Sequence, residues 1–167
     1  LEFRRVLFRS PNIDKLSEQG VNFCNAVSVT PLCCPYRASL FTGQYTSSTG
    51  MVINELRMKT DQKCFAQVLN DAGYKSAYIG KWHLWAKEPK PPDNPGKFHR
   101  NPENQFVPPG VNRLGFDDYW AAYNFNHRYY KGFYYKDEFK RIDINGYQPD
   151  VMTELAIDYV DKAAKVT

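Results

Sequence analysis

The 167-residue chain predicts an α/β fold. A helix-period run over residues 64–72 passes through Ala72-Gly73 straight into a strand-like run, Lys75 to Ile79, which makes an α–β unit. A second amphipathic run, Val151 to Val160, gives a further helix to cover such a sheet. The composition, 43% hydrophobic and 24% charged, is that of an ordinary globular chain.

The elements follow in order. Asn12 to Gln19 predicts a short helix with Leu16 on its apolar side, after which Val21, Phe23 and Ala26 lead toward a turn at Cys33. A helix is expected to start near Pro35, because proline suits a first turn and Arg37, Ala38, Ser39, Leu40 and Phe41 can continue it. In the 64–72 helix, Phe65, Val68 and Leu69 fall at i, i+3 and i+4, an apolar stripe. Gly73 ends that helix and Gly80 ends the strand, which places Lys81 and His83 at its carboxyl end, the edge where ligands of α/β sheets bind. From Glu88 to Gly110 seven prolines, at 89, 91, 92, 95, 102, 108 and 109, predict a long surface loop without regular structure. Aromatic residues concentrate between Phe116 and Tyr147, where they either line a carbohydrate-binding cleft or pack a core. The last helix, opened by Asp150, is expected to lie over the sheet. Internal repeats are not evident.

Charge and cysteine usage exclude several classes. Of the formal +4, three arginines and one glutamate in residues 1–10 carry half, and the other Lys and Arg residues are scattered among acids. A clustered basic stripe, the mark of a nucleic-acid protein, is missing. No apolar run approaches the roughly 20 residues of a membrane-spanning helix. Cys24, Cys33, Cys34 and Cys64 lack zinc-site spacing, whereas a Cys24–Cys64 disulfide is compatible with the sequence. Three residues between Cys33 and Arg37 are also too few for a cysteine-phosphatase loop.

Two motifs carry chemistry. Cys33-Cys34-Pro35-Tyr36-Arg37, then Ala38-Ser39-Leu40-Phe41 and Thr42-Gly43, puts a thiol, a proline and an arginine at Cys-x-Pro-x-Arg spacing before a Thr-Gly turn. Helix amides and the fixed charge of Arg37 would both face an anion held at Cys33. Gly80-Lys81-Trp82-His83-Leu84 ends the predicted strand with a cation and an imidazole two residues apart. Together these resemble the type I, formylglycine-dependent sulfatases, arylsulfatase-like members of the alkaline-phosphatase superfamily. Tyr36 is the one departure from the first motif, standing where Ser is usual. Gly115-Phe116-Asp117-Asp118-Tyr119-Trp120 and Asn126-His127-Arg128-Tyr129 resemble a further family segment, with Arg128 in place of an acid.

The resemblance implies an α/β/α sandwich with a central mixed sheet, of which residues 11–167 form the N-terminal part of the catalytic domain. Residues 1–10, which resemble no family segment or signal peptide, read as a non-native leader. The implied activity is hydrolysis of sulfuric esters by a geminal diol, the hydrate of formylglycine made from Cys33 within the motif Cys33, Pro35, Arg37. A formylglycine-generating or other sulfatase-maturating enzyme would make it. Lys81 would contact sulfate and nucleophile, His83 would hydrogen-bond the diol and help move its proton, and His127 would touch substrate. The implied metal is Ca²⁺, with Cys33 as formylglycine among its ligands, while paired aspartates upstream and acidic or amide ligands downstream fall outside the chain. The substrate would be a sulfated small molecule or sulfated glycan, and the parent enzyme periplasmic or secreted. Two alternatives stand beside this reading: a phosphoesterase or phosphonate hydrolase of the same superfamily, and an inactive carbohydrate-binding homologue in which Cys33 stays a thiol.

Overall fold

Two parallel strands, β1 (Ala77–Lys81) and β2 (Tyr119–Tyr123), form the spine of the computed structural model, which describes residues 9–88 and 95–165. Ala77 pairs with Tyr119, Tyr78 with Trp120 and Lys81 with Tyr123. The Trp82 amide continues the ladder by donating to the Tyr123 carbonyl at 2.8 Å. Trp120, Ala121 and Ala122 are all buried, so β2 lacks the alternation of a one-sided strand.

Both faces are covered, because side chains alternate along a strand. Tyr78, Trp82 and Trp120 meet Cys34, Ala38 and Phe41 of helix α2 (Cys33–Thr42) on one face. Ile79, Tyr119 and Ala121 meet Val151, Met152 and Leu155 of a C-terminal helix (Gln148–Ala163) on the other. The α2 face is an aromatic cluster: Phe41 lies 5.5 Å from Trp82 and 5.6 Å from Phe116, and Tyr78 lies 5.3 Å from Trp120. The arrangement is helix, sheet, helix. Tyr135 bridges antiparallel to Ala122, joining to β2 a short hairpin of β3 (Phe133–Tyr134) and β4 (Ile142–Asp143), so strand directions are mixed as expected.

Several boundaries differ from the sequence reading. Helix α1 runs Pro11–Gln19, but its Leu16 is 69% exposed and no α1 residue is buried. Val21 and Phe23 are exposed as well. Helix α2 starts at Cys33, two residues before Pro35, because proline is tolerated throughout a first turn whose amides have no helical partner anyway. It stops at Gly43, whose φ of 68° suits a residue without Cβ. A one-turn helix α3 (Thr46–Thr49) follows. Helix α4 (Phe65–Asp71) buries Ala66 and leaves Val68 and Leu69 exposed, while the partly exposed Phe65 sets its ring against Phe41 and Phe116, so only one end of its apolar stripe is packed. Strand β1 passes through Gly80 and ends at Lys81.

The proline-rich stretch is only partly irregular. Pro95 and Pro102 each open a short helix, α5 (Pro95–Arg100) and α6 (Pro102–Gln105), the second capped by the Asn101 side chain accepting from the Glu103 amide at 3.1 Å. Asn104, Gln105 and Val107 are buried there. Pro89, Pro91 and Pro92 lie outside the described residues, as does most of the segment read as a leader. The C-terminal helix, α7, starts at Gln148, two residues before Asp150, with Pro149 in its first turn.

Candidate active site

Cys33 sits half-buried in the first turn of α2, at the carboxyl end of the parallel strand pair. The next amide, Cys34 N–H, is not left to a ligand: it donates to Asn54 Oδ1 at 3.0 Å, which pins the start of the helix. Cys34 itself is fully buried, its thiol donating to the His83 carbonyl at 2.7 Å. Burial pushes that thiol up to about 12, so Cys34 stays protonated. Of the adjacent pair, only Cys33 faces the site.

One turn along, Arg37 is fixed rather than free. Its Nη1 donates to the Lys81 carbonyl at 2.6 Å and to the Tyr78 hydroxyl at 3.1 Å, and the Tyr78 hydroxyl in turn donates to the same carbonyl. Strand β1 thus orients the guanidinium through backbone. Partial burial pulls the Lys81 ammonium below the usual lysine pKa, and the neighbouring Cys33 side chain opposes that shift. Lys81 Nζ also lies 3.4 Å from His127 Nε2, and proximity to Lys81 holds His127 below its ordinary pKa.

His83 follows the strand with φ 59°, a left-handed conformation that a non-glycine residue adopts at a cost of about 1–3 kcal/mol. Its ring is 3% exposed and neither nitrogen has a partner among the described residues, a rare state for a buried polar group. Burial first, then the charges of Lys81, Arg37, His127 and His99, hold it down to about 3. The imidazole is neutral, with one N–H to donate and one lone pair to accept. Phe125 is wedged between His83, 4.7 Å away edge-on, and His99, stacked at 4.8 Å, while His99 Nε2 meets Glu55 Oε1 at 2.9 Å. All three histidines of the chain therefore share one electrostatic neighbourhood.

Arg37, Lys81 and His127 open on a cleft of about 340 Å³ that also takes in Tyr123 and Gln148. The structure therefore brings Cys33, Arg37, Lys81, His83 and His127 together, with Pro35 buried beneath the turn. Sequence reasoning missed Asn54, Tyr78 and His99, which act through backbone groups or rings and leave no spacing signature. The four cysteines are free, Cys24 exposed and Cys64 buried, so no disulfide joins them. Among the described residues no three His, Cys, Asp or Glu side chains group to hold a metal. Calcium takes six to eight oxygen ligands, so these residues alone do not make a calcium site.

A helix start with a half-buried cysteine, two cations and a neutral imidazole at the end of a parallel strand is an arrangement suited to an anion, set in an α/β/α fold. The family model Sulfatase matches residues 3–166, and the chain belongs to the sulfatase family. It is 39% identical over 158 residues to an ulvan-active sulfatase of Formosa agariphila, covering 94% of this chain and 28% of that protein. It is 31% identical to an N-acetylglucosamine-6-O-sulfatase of Bacteroides thetaiotaomicron, covering 95% of this chain and 24% of that one. The solved structure of yidJ from Bacteroides fragilis superposes with a TM-score of 0.78 at 30% identity, over 92% of this chain and 35% of that one. A structure of BT4656 with its substrate D-glucosamine-2-N,6-O-disulfate gives a TM-score of 0.69 at 29% identity, over 93% and 26% of the two chains. The fold is accordingly the alkaline-phosphatase-like sandwich, represented in part. The chain spans about a quarter of the length of these curated relatives.

Proposed function

We propose that this chain carries the nucleophile of a sulfuric ester hydrolase, that the nucleophile is formylglycine made from Cys33 by a maturating enzyme, and that the substrate is a sulfated carbohydrate. The observation that supports it most is that Arg37, one helical turn beyond the half-buried Cys33, is bonded to the Lys81 carbonyl and lines one cleft with the Lys81 side chain, beside a Cys34 that burial keeps inert. The residues fit the modified group: at position 33 a hydrated aldehyde would be held beside Lys81 and Arg37 and would supply the hydroxyl nucleophile for the sulfuryl group.

The chain's own residues supply binding and proton handling. Arg37, locked by the Lys81 carbonyl, and the Lys81 ammonium neutralise charge that grows on the sulfuryl oxygens. Because Arg37 is fixed before substrate arrives, it needs little reorganisation at the moment of reaction. His83, buried and neutral, donates to or accepts from an oxygen at position 33 and holds its proton. His127, exposed beside Lys81 and lining the same cleft, touches the substrate. No step is assigned to calcium. Support for a carbohydrate comes from relatives named for ulvan and for N-acetylglucosamine-6-O-sulfate, and from the disulfated glucosamine bound in one structural neighbour.

The test is peptide mass spectrometry on the Cys33 segment of the full-length enzyme after co-expression with a maturating enzyme, paired with turnover of sulfate and phosphate esters of one leaving group. Aldehyde at position 33 with sulfate ester preferred is expected, and Cys33→Ala should abolish turnover. A persistent thiol would leave the carbohydrate-binding alternative, and phosphate preference the phosphoesterase one.

A further inference from the structure

A second space shares a wall with the Lys81 cleft. It is a trough of about 460 Å³ into which Arg100, Arg128, Lys131 and Arg141 all project, and no acidic side chain lines it. Asn126 and Arg128 line both spaces, so a ligand leaving the cleft past His127 enters the trough directly. Four cations line this trough and Arg141 alone has an acidic partner among the described residues, so an anion placed among them meets net positive charge.

Three of the four cations have no acidic partner among the described residues. Arg128 and Lys131 have no ion pair among the described residues, and Arg100 donates only to the Gly96 carbonyl, at 3.0 Å. Arg141 pairs with Asp143 at 2.7 Å, but both are more than half exposed, and its guanidinium lies 4.3 Å over the Phe133 ring with further N–H groups to offer. Phe139, stacked on Tyr135 and 56% exposed, adds a flat apolar surface at the side of the trough. Cations beside an exposed ring suit a charged sugar, whose C–H face covers the ring while its anion meets the cations.

We propose that this trough is a second anion subsite, taking a carboxylate or a second sulfate on the sugar adjoining the one that carries the scissile sulfate. The preferred substrate is then a multiply charged oligosaccharide rather than a monosulfated small molecule. This rests on the sulfatase reading above and adds to it a substrate class.

The test uses the full-length enzyme and the double variant Lys131→Gln with Arg141→Gln, which removes both charges and leaves polar side chains. Three matched sulfated oligosaccharides, with a neighbouring carboxylate, a neighbouring second sulfate, or that carboxylate reduced to an alcohol, are compared by kcat/KM. The parent enzyme should prefer one of the charged forms over the reduced form by about tenfold or more, and the variant should lose that preference. Which charged form is preferred identifies the anion. Arg141→Lys should recover part of the preference. Equal preference in parent and variant, or a loss of the same size on the reduced form or on a simple aryl sulfate, would overturn the proposal. If no sulfate ester turns over at all, the sulfatase reading fails, and calorimetric titration with the carboxylated oligosaccharide still judges the trough. Binding weakened by the double variant and by added salt supports it, and binding unaffected by either refutes it.

Discussion

Neighbouring residues of the same type divide their roles here through burial. Cys33 and Cys34 share one helical turn, yet Cys34 is sealed against the His83 carbonyl while Cys33 stays half-buried on the side of Lys81. Tyr36, the departure from the usual motif, is 46% exposed and turns away from the core, so it leaves the geometry of Cys33 and Arg37 intact. Arg37 differs again, because its planar fork holds one carbonyl and one hydroxyl while keeping donors for an anion. Arg37→Lys should lower kcat by about 10²-fold on sulfate esters in the full-length enzyme with little change in melting temperature, a split that steady-state kinetics and thermal denaturation check together. His83 makes a prediction about acid. In the native state it stays neutral down to about 3, while in the unfolded chain it titrates near its ordinary 6.5. Between those values the unfolded state binds the extra proton, so stability rises with pH and is lost as pH falls from about 6.5 toward about 3. His83→Gln should flatten this limb in urea denaturation at stepped pH, and parallel slopes in parent and variant would refute the assignment.

At the scale of elements, the site depends on how α2 is seated against β1 and β2. Phe41, Tyr78, Trp82, Phe116 and Trp120 form one ring-packed block, and the turn carrying Lys81 and His83 runs directly through Trp82. Trp82→Ala should cost about 3–5 kcal/mol in chemical denaturation and carry the site with it. Gly115 acts from the other side of the block: with φ +95°, a Cβ there would meet Gln67 Cγ at 2.7 Å and Gln67 N at 2.8 Å. Gly115→Ala is therefore expected to destabilise by about 1–3 kcal/mol, read as a lower denaturation midpoint at unchanged slope. These seats explain what was legible in sequence. The Cys33 and Lys81 motifs announced the site because fixed spacings bring their side chains to one strand end. The start of α2 at Cys33 was hidden because proline in a first turn marks a helix start only to within a residue or two. The mostly exposed stripe of α4 and the helices at Pro95 and Pro102 were hidden for another reason: long-range partners decide which face is buried, and proline opens helices as readily as it breaks them.

For the molecule as a whole, the α/β/α frame puts the two cationic spaces on one side, each built from segments far apart in the chain. Arg37 comes from α2, Lys81 from β1, His127 from the loop after β2, and Arg141 from the hairpin beyond it. Such a site exists only when the sheet is assembled. Along α1 and the segment after it, Ile13, Leu16, Val21, Phe23, Val27 and Val29 are all exposed, a run of apolar surface of the kind that marks contact with further protein. The described residues hold no group of three candidate ligands, so the proposed calcium-dependent sulfatase would need further oxygen ligands from outside them. Residues 1–167 expressed alone should then bind calcium weakly in calorimetric titration and show little sulfatase turnover, whereas the full-length enzyme should bind the ion tightly and lose activity when chelated. Appreciable turnover by the 167-residue chain, or activity of the full-length enzyme that survives exhaustive chelation, would show that Cys33, Arg37, Lys81 and His83 suffice without those ligands.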